Sequence, residues 1–278
     1  MSARAYKKTD YCFMGVACAG TLLFVLLSVP LLGRSSQPDD LPQLLRLART
    51  QVEDFVEQFA YLRYHEDIIQ QKLKDSGKVA YQQETGFDSL IMVRFNEGQL
   101  HMREQRLLER APSPHLELRP LVLTYGFSAL AMIFHPYYEP SFRFTRMEDA
   151  SLQGKTLARV HFENIPGTPS PALYQMPSGD RQIELSGIAW IDPATGAIHR
   201  IDANVGSTLA DLGLKSLRAQ LTYGPVKLKI ELQPMWLPVS ATIDLETPHQ
   251  HWRNIHQFEN YREYRSEIKL EASTPNDN

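Results

Sequence analysis

Between Tyr11 and Gly33 the chain carries no charged residue, and Leu, Val, Ala, Phe and Gly fill most of the run. As a helix rising about 1.5 Å per residue it would reach about 35 Å, enough to cross a hydrocarbon core of roughly 30 Å. Such a segment sets the compartment of everything after it. Arg4, Lys7 and Lys8 precede it, and Asp39 and Asp40 follow. The positive-inside bias therefore keeps the N-terminus in the cytoplasm and sends the longer part across. The expected plan is a cytoplasmic tail over 1–10, a transmembrane signal-anchor over 11–33 and a linker over 34–40. An exported domain over 41–270 and a polar tail over 271–278 follow. This describes a single-pass inner-membrane protein whose C-terminal domain is periplasmic.

A cleaved signal peptide stays open as an alternative. Gly33 and Ser35 form a small-x-small pair, although Arg34 stands between them, and the apolar run exceeds the usual h-region of about 7–15 residues. Cys18 follows Ala17, but Gly15 occupies the position where a lipobox needs an aliphatic side chain.

Formal net charge is -3, which offers no basic field for nucleic acid. Both cysteines, Cys12 and Cys18, sit in the apolar run. The exported domain therefore has neither a disulfide nor a thiol and must be held by its core.

After the linker, Leu41, Leu45, Ala48, Val52, Phe55 and Phe59 recur by four and three, which predicts an amphipathic helix with Asp40 as N-cap and Pro42 in its first turn. From Tyr61 the period becomes two. Strands are expected over Tyr61–Lys74, Lys78–Thr85, Leu90–Phe95 and Gln99–Leu107, with turns at Asp75-Ser76-Gly77 and Asn96-Glu97-Gly98. Ala111–Pro120 reads as a loop. Thr124–Phe134 reads as a second helix, stopped by Pro136 and apolar nearly all round, hence buried on more than one side.

Later strands are expected over Phe142–Arg146, Thr156–Asn164, Ile183–Ile191, Ala197–Ala203, Leu217–Tyr223, Lys227–Leu232, Ser240–Leu245, His251–Tyr264 and Arg265–Leu270, with a Pro-rich loop over Pro166–Pro177. Asp192-Pro193-Ala194-Thr195-Gly196 is a hairpin turn. So many antiparallel strands with two helices predict a mainly β (α+β) fold. Its form would be a strongly curved antiparallel sheet or incomplete barrel, with both helices on the concave side.

Chemical motifs are sparse. His249 and His251 would share a strand face and a metal, but no third ligand stands beside them, and Pro248 favours a turn, so no metal is expected. The chain lacks G-x-S-x-G, H-E-x-x-H, P-loop and G-x-G-x-x-G patterns, so neither a cofactor nor catalysis is expected. An enzyme with a site of another kind remains the alternative. Large apolar side chains are more informative. Phe127, Leu130, Ile133, Phe134, Phe142, Trp190 and Trp236 form either a filled core or a cavity for an acyl chain.

The order of these pieces carries a resemblance. Gly77-Lys78-Val79-Ala80-Tyr81 leads to Gly126-Phe127-Ser128-Ala129-Leu130, then Phe142-Arg143-Phe144. The hairpin Gly187-Ile188-Ala189-Trp190-Ile191-Asp192 with Thr195-Gly196 follows. Tyr223-Gly224-Pro225-Val226, Trp236-Leu237-Pro238-Val239 and Arg253-Asn254 with Phe258, Tyr261, Arg262 and Tyr264 close the series. Over roughly residues 41 to 270 the chain resembles the LolA/LolB-like lipoprotein-sorting superfamily. The resemblance implies an open half-barrel holding acyl chains in the periplasm. It differs from the soluble carriers in its anchor and from the outer-membrane receptor in lacking a lipobox. No family residue maps to a single position, and the alternative is a non-enzymatic envelope interaction or sensor module with a filled core.

Overall fold

Leu44, Ala48, Val52, Phe55 and Val56 are buried along one side of helix α1, Leu41–Phe59. This stripe is turned slightly from the expected one: Leu44 is inside, while Leu41 and Leu45 are only partly covered at its border. The Asp40 carbonyl accepts the Leu44 N–H at 2.9 Å, and its carboxylate accepts Arg146 Nε at 3.2 Å. The helix start is thereby tied to a strand far along the chain.

The computed structural model describes residues 40–59, 62–96, 99–110, 127–176, 179–205, 213–228 and 234–263. The expected tail 1–10, signal-anchor 11–33, most of the linker and the tail 271–278 lie outside the described residues, as do Ala111–Pro120, Thr124–Gly126 and Arg265–Leu270. Among the described residues no helix is long and apolar enough to cross a membrane.

Among the described residues thirteen strands follow α1: β1 Leu62–Leu73, β2 Val79–Asn96, β3 Gln99–Arg110, β4 Phe142–Arg146, β5 Ala150–Leu152, β6 Lys155–Asn164 and β7 Leu173–Met176. After these come β8 Gly179–Gln182, β9 Leu185–Ile191, β10 Ile198–Val205, β11 Ser216–Val226, β12 Met235–Glu246 and β13 His251–Glu263. Eleven of them form one open, curved antiparallel sheet in the order β3-β2-β1-β13-β12-β11-β10-β9-β6-β4, with β5 beside β6. β7, inside the stretch expected to be a Pro-rich loop, pairs with β8 just beyond it as a separate hairpin.

Expected strands Lys78–Thr85 and Leu90–Phe95 are one continuous strand, β2. It pairs with β1 on one side and β3 on the other, so Gly86 is bridged by Asp67 and Arg110 rather than left as a break. Lys227 and Leu228 lie beyond the end of β11, and the rest of the expected Lys227–Leu232 strand is outside the described residues. The second helix is a 3-10 helix, Phe127–Phe134, in place of an α-helix; a shorter one, Glu139–Ser141, precedes β4.

The hairpin between β9 and β10 forms as its residues require. Asp192 Oδ1 accepts the Ala194 N–H at 2.9 Å, and Gly196 takes φ +78°. A Cβ at Gly196 would stand 2.3 Å from the Leu47 carbonyl carbon, so glycine also lets α1 lie against this turn. α1 then packs on β12 and on the longer 3-10 helix, which in turn packs on β10, β11 and β12.

Candidate functional site

Alternation on β9, β10 and β11 sends Ala189, Ile191, Ile201, Ala203, Ala219 and Leu221 to one face, where all are buried. The 3-10 helix Phe127–Phe134 occupies that face. Leu130, Ile133 and Phe134 are buried, with Ile133 and Phe134 at 0% exposure, while Phe127 is partly covered at the core's border. Phe134 stacks on Phe144 at 5.3 Å between ring centroids, and Phe142 meets Phe162 edge-on at 6.1 Å.

Three polar contacts tie this cover to its surroundings. The Ala131 N–H, in mid-helix, donates to Tyr223 Oη at 3.1 Å. Burial pushes the Tyr223 phenol well above its ordinary range, so it remains neutral. Tyr138, pushed up to about 12 by burial, donates to the Leu100 carbonyl at 3.0 Å. Arg49 of α1 grips Glu139 with two hydrogen bonds of 2.8 and 2.7 Å.

Beside the 3-10 helix lies a cavity of about 20 Å³ bordered by Val52, Phe55, Ala131, Ile198, Tyr223 and Trp236. Trp236 donates Nε1–H to the Ile198 carbonyl at 2.6 Å. Six of the seven expected residues thus gather on the face that α1 and the 3-10 helix cover. Trp190 does not. With Ala189 and Ile191 turned inward, strand alternation sends Trp190 to the opposite face, where the Arg200 guanidinium lies 4.8 Å from its ring centroid.

The opposite face is polar. A trough of about 360 Å³ there is lined by Ile188, Asp202, Asn204, Arg218, Gln220 and Asp244, among others. Arg200 bonds Asp202 through two contacts, and Asp244 accepts from Arg253 at 2.8 Å. His251 opens β13 with Nε2 3.3 Å from Asp244 Oδ1, and His249 lies in the preceding turn. Among the described residues no group of three His, Cys, Asp or Glu side chains could hold a metal.

On the other half of the covered face lies a charged cluster that the sequence reading did not single out. Glu66 of β1 is 0% exposed and accepts Arg106 at 2.6 and 2.8 Å, His256 Nδ1 at 2.7 Å and Ser89 Oγ at 3.1 Å. Arg106 also pairs with Glu104 at 3.0 Å, and Tyr64 donates to Glu104 at 3.1 Å. Burial opposes the Glu66 charge, but His256 and Arg106 outweigh it and hold the carboxyl below its ordinary range. The legible signal was a Glu at an inward position between Tyr64 and Ile68, and a His between Asn254 and Phe258.

No protein-family model and no curated protein matches this chain. Solved structures do. A DUF1329 family protein from Desulfovibrio piger is 12% identical, with a TM-score of 0.46 over 84% of this chain and 95% of that one. A LolA superfamily protein from Nitrosomonas europaea is 10% identical, with a TM-score of 0.39 over 78% and 93%. A domain named for outer membrane lipoprotein sorting, from Vibrio parahaemolyticus, is 13% identical, with a TM-score of 0.38 over 82% and 94%. The superfamily that the sequence resembles is thus among the solved structures similar to this chain.

Proposed function

We propose that this chain is an inner-membrane-anchored envelope protein. Its periplasmic sheet receives an apolar ligand, a lipid or a lipoprotein acyl chain, at the place held by the Phe127–Phe134 helix. The observation that carries the reading is the helix itself. It is apolar nearly all round, with the buried Ser128 hydroxyl the exception, wedged between α1 and the sheet, and built on the weaker 3-10 ladder. An acyl chain taking its place would exchange one set of apolar contacts for another, so the sheet would keep its burial while the helix moved aside. No catalytic role, cofactor or nucleic acid enters this reading.

The 20 Å³ cavity favours a second reading. A space of that size holds about one water molecule and no ligand, as expected of an interaction or sensor module with a permanently filled core. One experiment separates the two. The full chain is purified from membranes, examined by native mass spectrometry for co-purified lipid, and titrated with a fluorescent fatty acid. The carrier reading expects bound lipid and saturable uptake, with Ile133→Trp blocking uptake. A wild-type protein that carries no lipid and binds no fatty acid, and an Ile133→Trp variant destabilised by about 1–3 kcal/mol, would leave the filled-core module standing.

A further inference from the structure

The two edges of the eleven-stranded sheet are unequal. β4 is a five-residue edge, too short to template much pairing, whereas β3 at the other edge runs for twelve. Among the described residues β3 pairs on one side only, with β2. Its end also carries Leu107 and Leu108, 62% and 58% exposed; the only other large apolar side chain so exposed among the described residues is Val79. Two adjacent strand residues point to opposite faces, so a cover on one face of the sheet would leave one leucine in water. A strand added to the edge passes beside both.

We propose that β3 pairs antiparallel with β3 of a second copy of this chain, through a two-fold axis at Gln105. Two copies of one edge related by a two-fold normal to the sheet place residues of equal parity opposite each other. With Gln105 facing itself, Glu104 comes opposite the second copy's Arg106. The second strand runs beside both Leu107 and Leu108, whose exposed side chains it partly covers. No like charges are opposed. Moving the axis to Glu104 opposes two glutamates, and moving it to Arg103 or Arg106 opposes two arginines. The charges on the strand therefore select one register while discouraging its neighbours.

The test uses the full chain in detergent micelles with Cys12→Ser and Cys18→Ser, so that introduced thiols are the only ones. Gln105→Cys places two thiols directly opposite, where the cross-strand Cα spacing of about 4.5–5.5 Å matches a disulfide. Two Leu107→Cys thiols would sit about 13 Å apart along the strands, out of reach. Under mild oxidation, Gln105→Cys is expected to give at least about tenfold more linked dimer than Leu107→Cys. Light scattering should give a dimer mass for the parent and a monomer mass for the Leu107→Asp, Leu108→Asp double variant, with unchanged circular dichroism. A monomeric parent, a monomer that captures some other protein at this edge, or stronger linkage at 107 than at 105 would each overturn the proposal.

Discussion

Glu66 is the residue at which sequence and structure diverge most. Alternation places it inward with Leu62, Tyr64, Ile68 and Gln70, a position that reads as core. A lone carboxylate there would be costly, and it is stable only because Arg106, His256 and Ser89 converge on it from β3, β13 and β2. Its folded titration lies below the ordinary range, so the unfolded chain binds the proton more readily. The stabilisation is therefore present above about pH 4.5 and is lost as pH falls through the folded value. Glu66→Gln should cost about 3–5 kcal/mol at neutral pH, because it breaks a buried ion pair. Urea titrations of both proteins at several pH values should show that difference shrinking steadily from pH 5 toward pH 3. Parallel profiles would remove Glu66 from the acid response. None of the convergence is legible locally, since its four residues span positions 66 to 256.

At the scale of elements, amphipathic period located α1 and the strands well, because each buries one face and the pattern records which. The Phe127–Phe134 segment carries no such record. Nearly every side is apolar and most of it is covered, so the pattern announces burial but not helix type. The 3-10 form places one of its N–H groups on Tyr223, a partner known only from the fold. This arrangement separates its two phenylalanines. Phe134, at 0% exposure and stacked on Phe144, should cost about 3–5 kcal/mol when replaced by Ala. Phe127, partly covered at the core's border, should cost clearly less. Chemical melts of the two variants decide the matter; equal losses would mean that the helix is clamped alike at both ends.

Across the whole molecule the sheet is two meanders joined at one seam. β4 to β13 run in chain order apart from β5, which flanks β6, and the β7–β8 hairpin; β1 to β3 likewise, and β1 lies against β13 from Leu62↔Glu263 to Leu73↔His251. The seam sits inside the sheet, so the two halves should unfold together. Ile69→Pro removes a backbone donor from a strand paired on both sides. It should abolish tryptophan fluorescence changes reporting β9, β12 and β13 and amide protection in β2 in a single transition; survival of one half alone would contradict this. Period and turn chemistry by themselves determined that this is an antiparallel β protein with helices on one face, and where the Asp75–Gly77 and Asp192–Gly196 turns fall, because those are properties of neighbours in the chain. The tertiary structure alone decided that Trp190 faces away from the other expected residues, that Glu66 has three partners, and that β1 meets β13. Each depends on groups brought together across long stretches of sequence, where backbone pairing and the geometry of packing choose the partner and no local pattern records the choice.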